Sequence, residues 1–234
     1  MATVVKLGSL RLEGEYTKPG AKYDPNQVIS FGGENSLSWV VVNGLLIADK
    51  SLLVNISWDD LDHQHLVFGK PVTINGQQFM CRLLKVGIKD KVPNEWDAAL
   101  DVAGDKDRLW HCENSSFWGQ ESRAVSYRAI RGGRSARSYN WTDSSRQLAD
   151  ISFRPALEPL PADQLESGDM ICSIGGQSVL YGSLLEITDY DAVLQPEVTT
   201  ILAEADKGKL YTEGQDGLVI VDRTQMTVQR VCPM

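Results

Sequence analysis

Between Trp118 and Leu157 the chain carries seven arginines, no lysine and three acids. The arginines are Arg123, Arg128, Arg131, Arg134, Arg137, Arg146 and Arg154. Two strand-like runs, 124–130 and 150–157, frame a polar segment rich in Arg, Ser, Asn and Asp that shows neither helical nor strand periodicity. A long polar excursion held between two strands is more often functional than connective.

Other residue types that could do chemistry are sparse. His63-Gln64-His65 would place both imidazoles on one face of a strand, and His111 could complete a three-histidine metal site. No fourth-ligand pattern accompanies them, and surface histidines beside Asp59, Asp60 and Asp62 are the plainer reading, so no metal site and no cofactor are expected. Glu95, Asp97 and Glu121 could supply an acid pair, but a helix cap and a solvated face account for them equally simply. The chain has no phosphate-binding glycine loop and no nucleophile elbow. Cys81, Cys112, Cys172 and Cys232 lie far apart without a C-x-x-C pair, which suits buried thiols better than zinc. One Arg131-Gly132-Gly133 unit in a chain of net charge −8 does not make a nucleic-acid binder.

The elements that must position these residues are mostly strands. Asn43-Gly44 and Asn75-Gly76 mark hairpins over 36–49 and 66–87. Residues 3–14 read as one first strand and 51–58 as a further one. The segment 94–104 is the best helix, with acids at its start. No apolar run is long enough to span a membrane, and the first residues lack the pattern of a signal peptide.

Charge divides the chain. Residues 1–160 hold 19 acids and 19 Lys plus Arg, whereas residues 161–234 hold 12 acids and four basic residues. All tryptophans and histidines precede residue 160. With Pro155, Pro159 and Pro161 close together, the expectation is a first domain over 1–158, a proline-containing linker over 159–168 and a small acidic β-rich module over 169–234. A module of that size buries little by itself and leaves sheet edges open, so it is expected to pack on a second copy or another subunit as an assembly device.

Several short motifs recur here in a suggestive order. They are Trp39-Val40-Val41-Val42, Arg82-Leu83-Leu84, Glu95-Trp96-Asp97, Trp118-Gly119-Gln120-Glu121, Arg131-Gly132-Gly133 and Phe153-Arg154-Pro155-Ala156-Leu157-Glu158. Residues 36–158 thereby resemble the formylglycine-generating-enzyme-like branch of the C-type lectin fold, and more closely a group of uncharacterised bacterial and phage proteins sharing its closing F-R-P strand. The resemblance implies an α+β, β-rich fold: a C-type lectin-like domain followed by the small β module. Phe153 and Leu157 would face the core, with Arg154 and Ala156 pointing away.

The enzyme branch needs a reactive cysteine pair that binds copper, and no such pair is visible here. What the resemblance implies instead is a rigid platform for binding. Its recognition surface would comprise Trp118, Gln120, Glu121, Arg131, Arg134, Arg137, Tyr139, Asn140, Trp141 and Asp143, residue types suited to hot spots and adaptable hydrogen bonding. A structural loop whose arginines pair with Glu121, Asp143 and Asp150 is the competing reading. The expected function is that of a non-enzymatic phage virion component, on a capsid surface or in the tail. Its partners would be other virion subunits, itself, or a host-surface glycan or protein, with neither nucleic acid nor membrane involved. The alternatives are a cytoplasmic bacterial enzyme of the formylglycine-generating type and a secreted carbohydrate-binding module.

Overall fold

The computed structural model describes residues 2–88 and 92–231; Cys232 lies outside the described residues. In chain order come β1 (Thr3–Lys6), β2 (Ser9–Leu12), β3 (Glu15–Thr17), β4 (Ala21–Lys22), β5 (Ile29–Gly32), β6 (Ser38–Val42), β7 (Leu45–Ala48), β8 (Leu53–Val54) and helix α1 (Trp58–His63). There follow β9 (Lys70–Ile74), β10 (Gln77–Leu83), α2 (Glu95–Ala103), α3 (Asp107–Trp110), β11 (Ser116–Ser122), β12 (Tyr127–Gly132), β13 (Tyr139–Asp143), β14 (Ile151–Phe153) and β15 (Pro155–Pro159). The last strands are β16 (Met170–Gly175), β17 (Ser178–Ile187), β18 (Asp191–Pro196), β19 (Tyr211–Glu213), β20 (Val219–Asp222) and β21 (Thr227–Arg230).

These form a central sheet ordered β1-β6-β7-β15-β10-β9, a second ordered β13-β12-β11-β14-β8-β4 and a third ordered β19-β20-β18-β17-β16-β21. A small sheet, β3-β2-β5, completes the set. The chain is thus β-rich with short helices, as its residue pattern suggests.

Both predicted asparagine-glycine hairpins form. Asn43 and Gly44 have φ of 51° and 76°, and Asn75 and Gly76 have the same pair of values. Positive φ at both central residues matches the turn to the twist of the flanking strands. Helix α2 is capped by the Asn94 side chain, which accepts from the Asp97 amide, and ends at Gly104 with φ 83°. The run 3–14 divides into β1 and β2 around Gly8, where φ is 67° and an added Cβ would meet the Ile74 side chain at 2.7 Å.

Elsewhere the chain departs from the expected elements. Only Leu53–Val54 of the run 51–58 is a strand. Ser57 instead caps α1, in a reciprocal box with Asp60, and that local capping ends the extended run. His63 therefore closes a helix and His65 has φ 63°, so the two histidines do not share a strand face. The residue between them is the one that makes structure: Gln64 donates to the Tyr23 hydroxyl and the Gln27 carbonyl, and accepts from the Ile29 amide. Pro155 and Pro159 are not linker residues. They stand at the two ends of β15, opposite Leu83 and Phe79, inside the central sheet. Terminal positions spare the middle of the strand's ladder, which is where proline is excluded. A 3-10 turn lies at Glu204–Asp206.

The central sheet is buried on both faces. Trp39, Val41, Leu46, Phe79, Cys81 and Leu157 belong to one core cluster, and Val40, Val42, Ile47 and Ala156 to another. The uninterrupted apolar runs of β6 and β7 follow from this, because neither face is left to water. Cys172, Ile174 and Val179 of the third sheet join the first cluster. The other face of the third sheet closes over its own cluster, which includes Ile171, Leu180, Leu194, Tyr211 and Val221. Polar contacts cross the seam as well: the Gly44 amide donates to the Gly176 carbonyl at 3.0 Å, and the Gln78 amide to Gln229 Oε1 at 2.8 Å. One face of the third sheet thus packs against the chain's own first part, while β19 and β21 remain its edges.

Candidate functional site

The site is built on an aromatic frame. Trp96 of α2 packs edge-on against Trp110 and Phe117, with ring centroids 4.8 and 4.7 Å apart. Arg154 lies among them, fully buried, its guanidinium carbon 5.0 Å from the Phe117 centroid and 5.7 Å from that of Trp96. It donates to the carbonyls of Ala48 at 2.8 Å and Trp110 at 2.6 Å. Burial lowers the affinity of this guanidinium for its proton. Arg154 does point away from Phe153 and Leu157, but into the second core cluster rather than toward solvent. The expected closing strand is also two strands, because β14 and β15 belong to different sheets and Arg154 is the junction.

The polar excursion is tied to this frame by acids of α2. Trp96 Nε1 donates to the Ala136 carbonyl at 2.7 Å. Arg131, 2% exposed, is ion-paired with Asp97. Arg137 reaches Asp101 at 2.8 Å and Asp105 at 3.3 Å. Hydrogen bonding by Asp101 is the main cause that raises the pKa of the Arg137 guanidinium. Gly132, at φ +96°, lets the chain turn close beneath, since a Cβ there would lie 2.5 Å from the Ser115 carbonyl oxygen. The excursion then returns as β13, paired antiparallel with β12 from Arg131↔Tyr139 to Tyr127↔Asp143. It is therefore partly a strand, where the residue pattern suggested an irregular loop, and β13 lies at the edge of its sheet.

The ten residues proposed from sequence fall into two groups. Trp118, Gln120, Glu121 and Arg131 act as internal braces. Fully buried Trp118 donates through Nε1 to the Ile56 carbonyl at 2.8 Å. Gln120 Nε2 bridges the Val67 and Leu83 carbonyls at 3.0 and 2.9 Å. Glu121 accepts from the Val86 and Gly87 amides at 3.0 and 2.9 Å. Arg134, Arg137, Tyr139 and Asn140 instead line one cleft of about 650 Å³, with Ser138. Tyr139 and Trp141 line an adjoining hollow of about 460 Å³ with Arg123 and Ile88. Tyr139 and Trp141 meet edge-on at 5.4 Å. Asp143 closes the strand, its pKa lowered chiefly by the hydrogen bond from the Ser145 hydroxyl. The arginines of this segment do not pair with Glu121, Asp143 or Asp150; Asp97, Asp101 and Asp105 take that role. Their four-residue spacing was the signal for it.

Among the described residues no group of three or more His, Cys, Asp or Glu could hold a metal ion. Glu95 is engaged by Arg82 at 2.8 Å and accepts from the Lys85 amide at 2.8 Å, next to the Val86 and Gly87 amides that Glu121 caps, so both carboxylates are spent on holding this loop. Burial pushes the Cys81 and Cys172 thiols up to about 12 and raises that of Cys112. Among the described residues, thiols so disfavoured as thiolates are poor nucleophiles and poor metal ligands. No helix among the described residues is long and apolar enough to cross a membrane. What the geometry offers is an arginine- and aromatic-lined surface at a sheet edge, held rigidly from behind. Comparison with protein-family models, with curated proteins and with solved structures finds no match for the chain.

Proposed function

We propose that this chain is a non-enzymatic binding platform of a phage virion, lectin-like in its first part, which attaches through the β13 surface to a neighbouring subunit or host surface. The observation that carries the reading is the contrast between the two sides of the excursion. Behind it, Arg131, Arg137 and the Ala136 carbonyl are clamped to α2. In front, Arg134 and Asn140 are exposed, while Tyr139 and Trp141, which alternate with Asn140 along β13, are partly buried against the second core cluster and show only their edges. A preorganised backbone that presents Arg, Tyr, Trp and Asn binds without a large ordering cost. The virion setting rests on the resemblance of the motif order over residues 36–158 to that of phage proteins.

The test is attachment. Asn140, on the exposed face, is replaced by a photocrosslinking amino acid in the virus that carries the gene, and purified particles are irradiated. A crosslink to a structural subunit or to a host-surface component is expected. Absence of the chain from purified particles refutes the virion assignment, and a chain that is present on particles yet forms no crosslink from Asn140 refutes the choice of surface.

A further inference from the structure

The β13 surface has an electrostatic counterpart on the same molecule. Arg123 and Arg134 line the two hollows that meet at Tyr139, and neither guanidinium is in an ion pair or side-chain hydrogen bond among the described residues. Both are exposed. At the far side of the charge division, β17 and β18 end in a hairpin tip that carries Glu186, Asp189 and Asp191 around Tyr190, which is 69% exposed. Its flanking Asp191 stands opposite Asp222, another acid, and Arg223 lies against the tip, its guanidinium donating to the Thr188 carbonyl and its amide to the Tyr190 carbonyl, which leaves the acids in excess. An exposed tyrosine ringed by carboxylates is an anchor without a pocket, whereas the β13 hollows are arginine-walled pockets without an anchor.

We propose that the β13 surface of one copy receives the Glu186–Asp191 tip of a second copy, so that the chain associates head to tail. Tyr190 enters beside Tyr139 and Trp141, and Arg123 and Arg134 meet the carboxylates around it. The inference rests on the reading of β13 as the attachment surface and names a second copy as its partner. Charge complementarity selects that partner: residues 1–160 are balanced, while the excess of −8 lies entirely in residues 161–234. A face-to-face contact of two tips would oppose like charges, so only the heterologous arrangement gains. Such a contact leaves one free β13 surface and one free tip on every open assembly, so it propagates unless it closes into a ring. A hairpin tip covers a small area, so the contact is weak, with a Kd on the order of tens of micromolar at low salt.

Sedimentation velocity on the full chain tests this from micromolar to several hundred micromolar. Concentration-dependent association is expected in dilute salt and at least tenfold weaker association in about 0.5 M salt, where the screening length has shrunk severalfold. The charge reversals R123E/R134E and E186K/D189K/D191K, all on exposed side chains, should each give a monomer. An equimolar mixture of the two variants should associate again, because each supplies the complement of the other. A chain that stays monomeric at several hundred micromolar in dilute salt overturns the proposal, as does association that survives both reversals. The outcome separates from that of the platform reading: if wild type is monomeric while R123E/R134E still detaches from particles, the head-to-tail contact is wrong and the platform stands. If R123E/R134E stays on particles, the platform surface itself is wrong.

Discussion

Replacing Arg154 by lysine should destabilise the chain more than replacing it by methionine. Arg154 holds a cation in the second core cluster without a carboxylate in contact, held by the Ala48 and Trp110 carbonyls and by the faces of Phe117 and Trp96, with its Nε buried and without a hydrogen bond. Each charge-assisted hydrogen bond contributes about 1.5–3 kcal/mol. A desolvated cation over an aromatic face adds about 2 kcal/mol. Opposing these is a desolvation cost of several kcal/mol for the buried charge. Lysine keeps most of that cost. Its single ammonium cannot reproduce the two divergent bonds made by Nη1 and Nη2, nor the planar stacking, so a loss of about 3 kcal/mol is expected. Methionine fills similar volume and removes the desolvation cost, leaving two carbonyls short of a donor, for a loss of about 1–2 kcal/mol. Urea unfolding followed by tryptophan fluorescence measures both, since Trp96 and Trp110 sit against the guanidinium or its partners. A lysine variant within about 1 kcal/mol of wild type, or a methionine variant clearly worse than lysine, would refute this account of how the frame is held.

Three further outcomes follow from other parts of the molecule. Gly132→Ala should cost at least about 2 kcal/mol in the same assay, because it combines a left-handed φ with a clash against backbone; a neutral effect would mean that the excursion is not held as described. In the folded chain Cys81, Cys112 and Cys172 should resist alkylation at pH 8 and react on unfolding, as read by mass spectrometry; rapid labelling of Cys81 in the native protein would contradict its burial. Asp169 has its pKa lowered, first by the Glu166 amide and also by Arg230, so the unfolded chain binds the extra proton. Its contribution is therefore present above the unfolded value of about 4 and is lost as pH falls through the folded one, and Asp169→Asn should flatten the acid limb of the stability profile.

Much of the local structure is written in short-range chemistry. Asn43-Gly44, Asn75-Gly76, Asn94 and Gly104 each require a particular backbone conformation, and each adopts it. The capping box at Ser57 and Asp60 was equally local, but the apolar run before it reads as strand until the helix start is weighed against it. Arg154 shows what periodicity cannot supply. Alternation places it opposite Phe153 and Leu157, yet nothing in the alternation says that the opposite side is also core. That depends on α2, α3 and β11 converging there from distant positions in the chain. The division of the ten candidate residues is invisible for the same reason. Arg131 and Arg134 look alike in sequence, and only the position of Asp97 makes one a brace while the other faces outward. β13 escaped notice because its pairing with β12 is tertiary, and its arginine- and serine-rich approach masks the alternation of Tyr139 and Trp141.

The central claim is that the β13 surface attaches this chain to a particle. Its most direct measurement is the amount of chain retained on purified particles when Arg134 and Asn140 are both changed to alanine, with the fold verified by an unchanged urea midpoint. The account predicts that wild-type chain co-purifies in fixed ratio to the structural subunits and that the double variant is lost at least tenfold. Retention of the double variant at the wild-type ratio would contradict it.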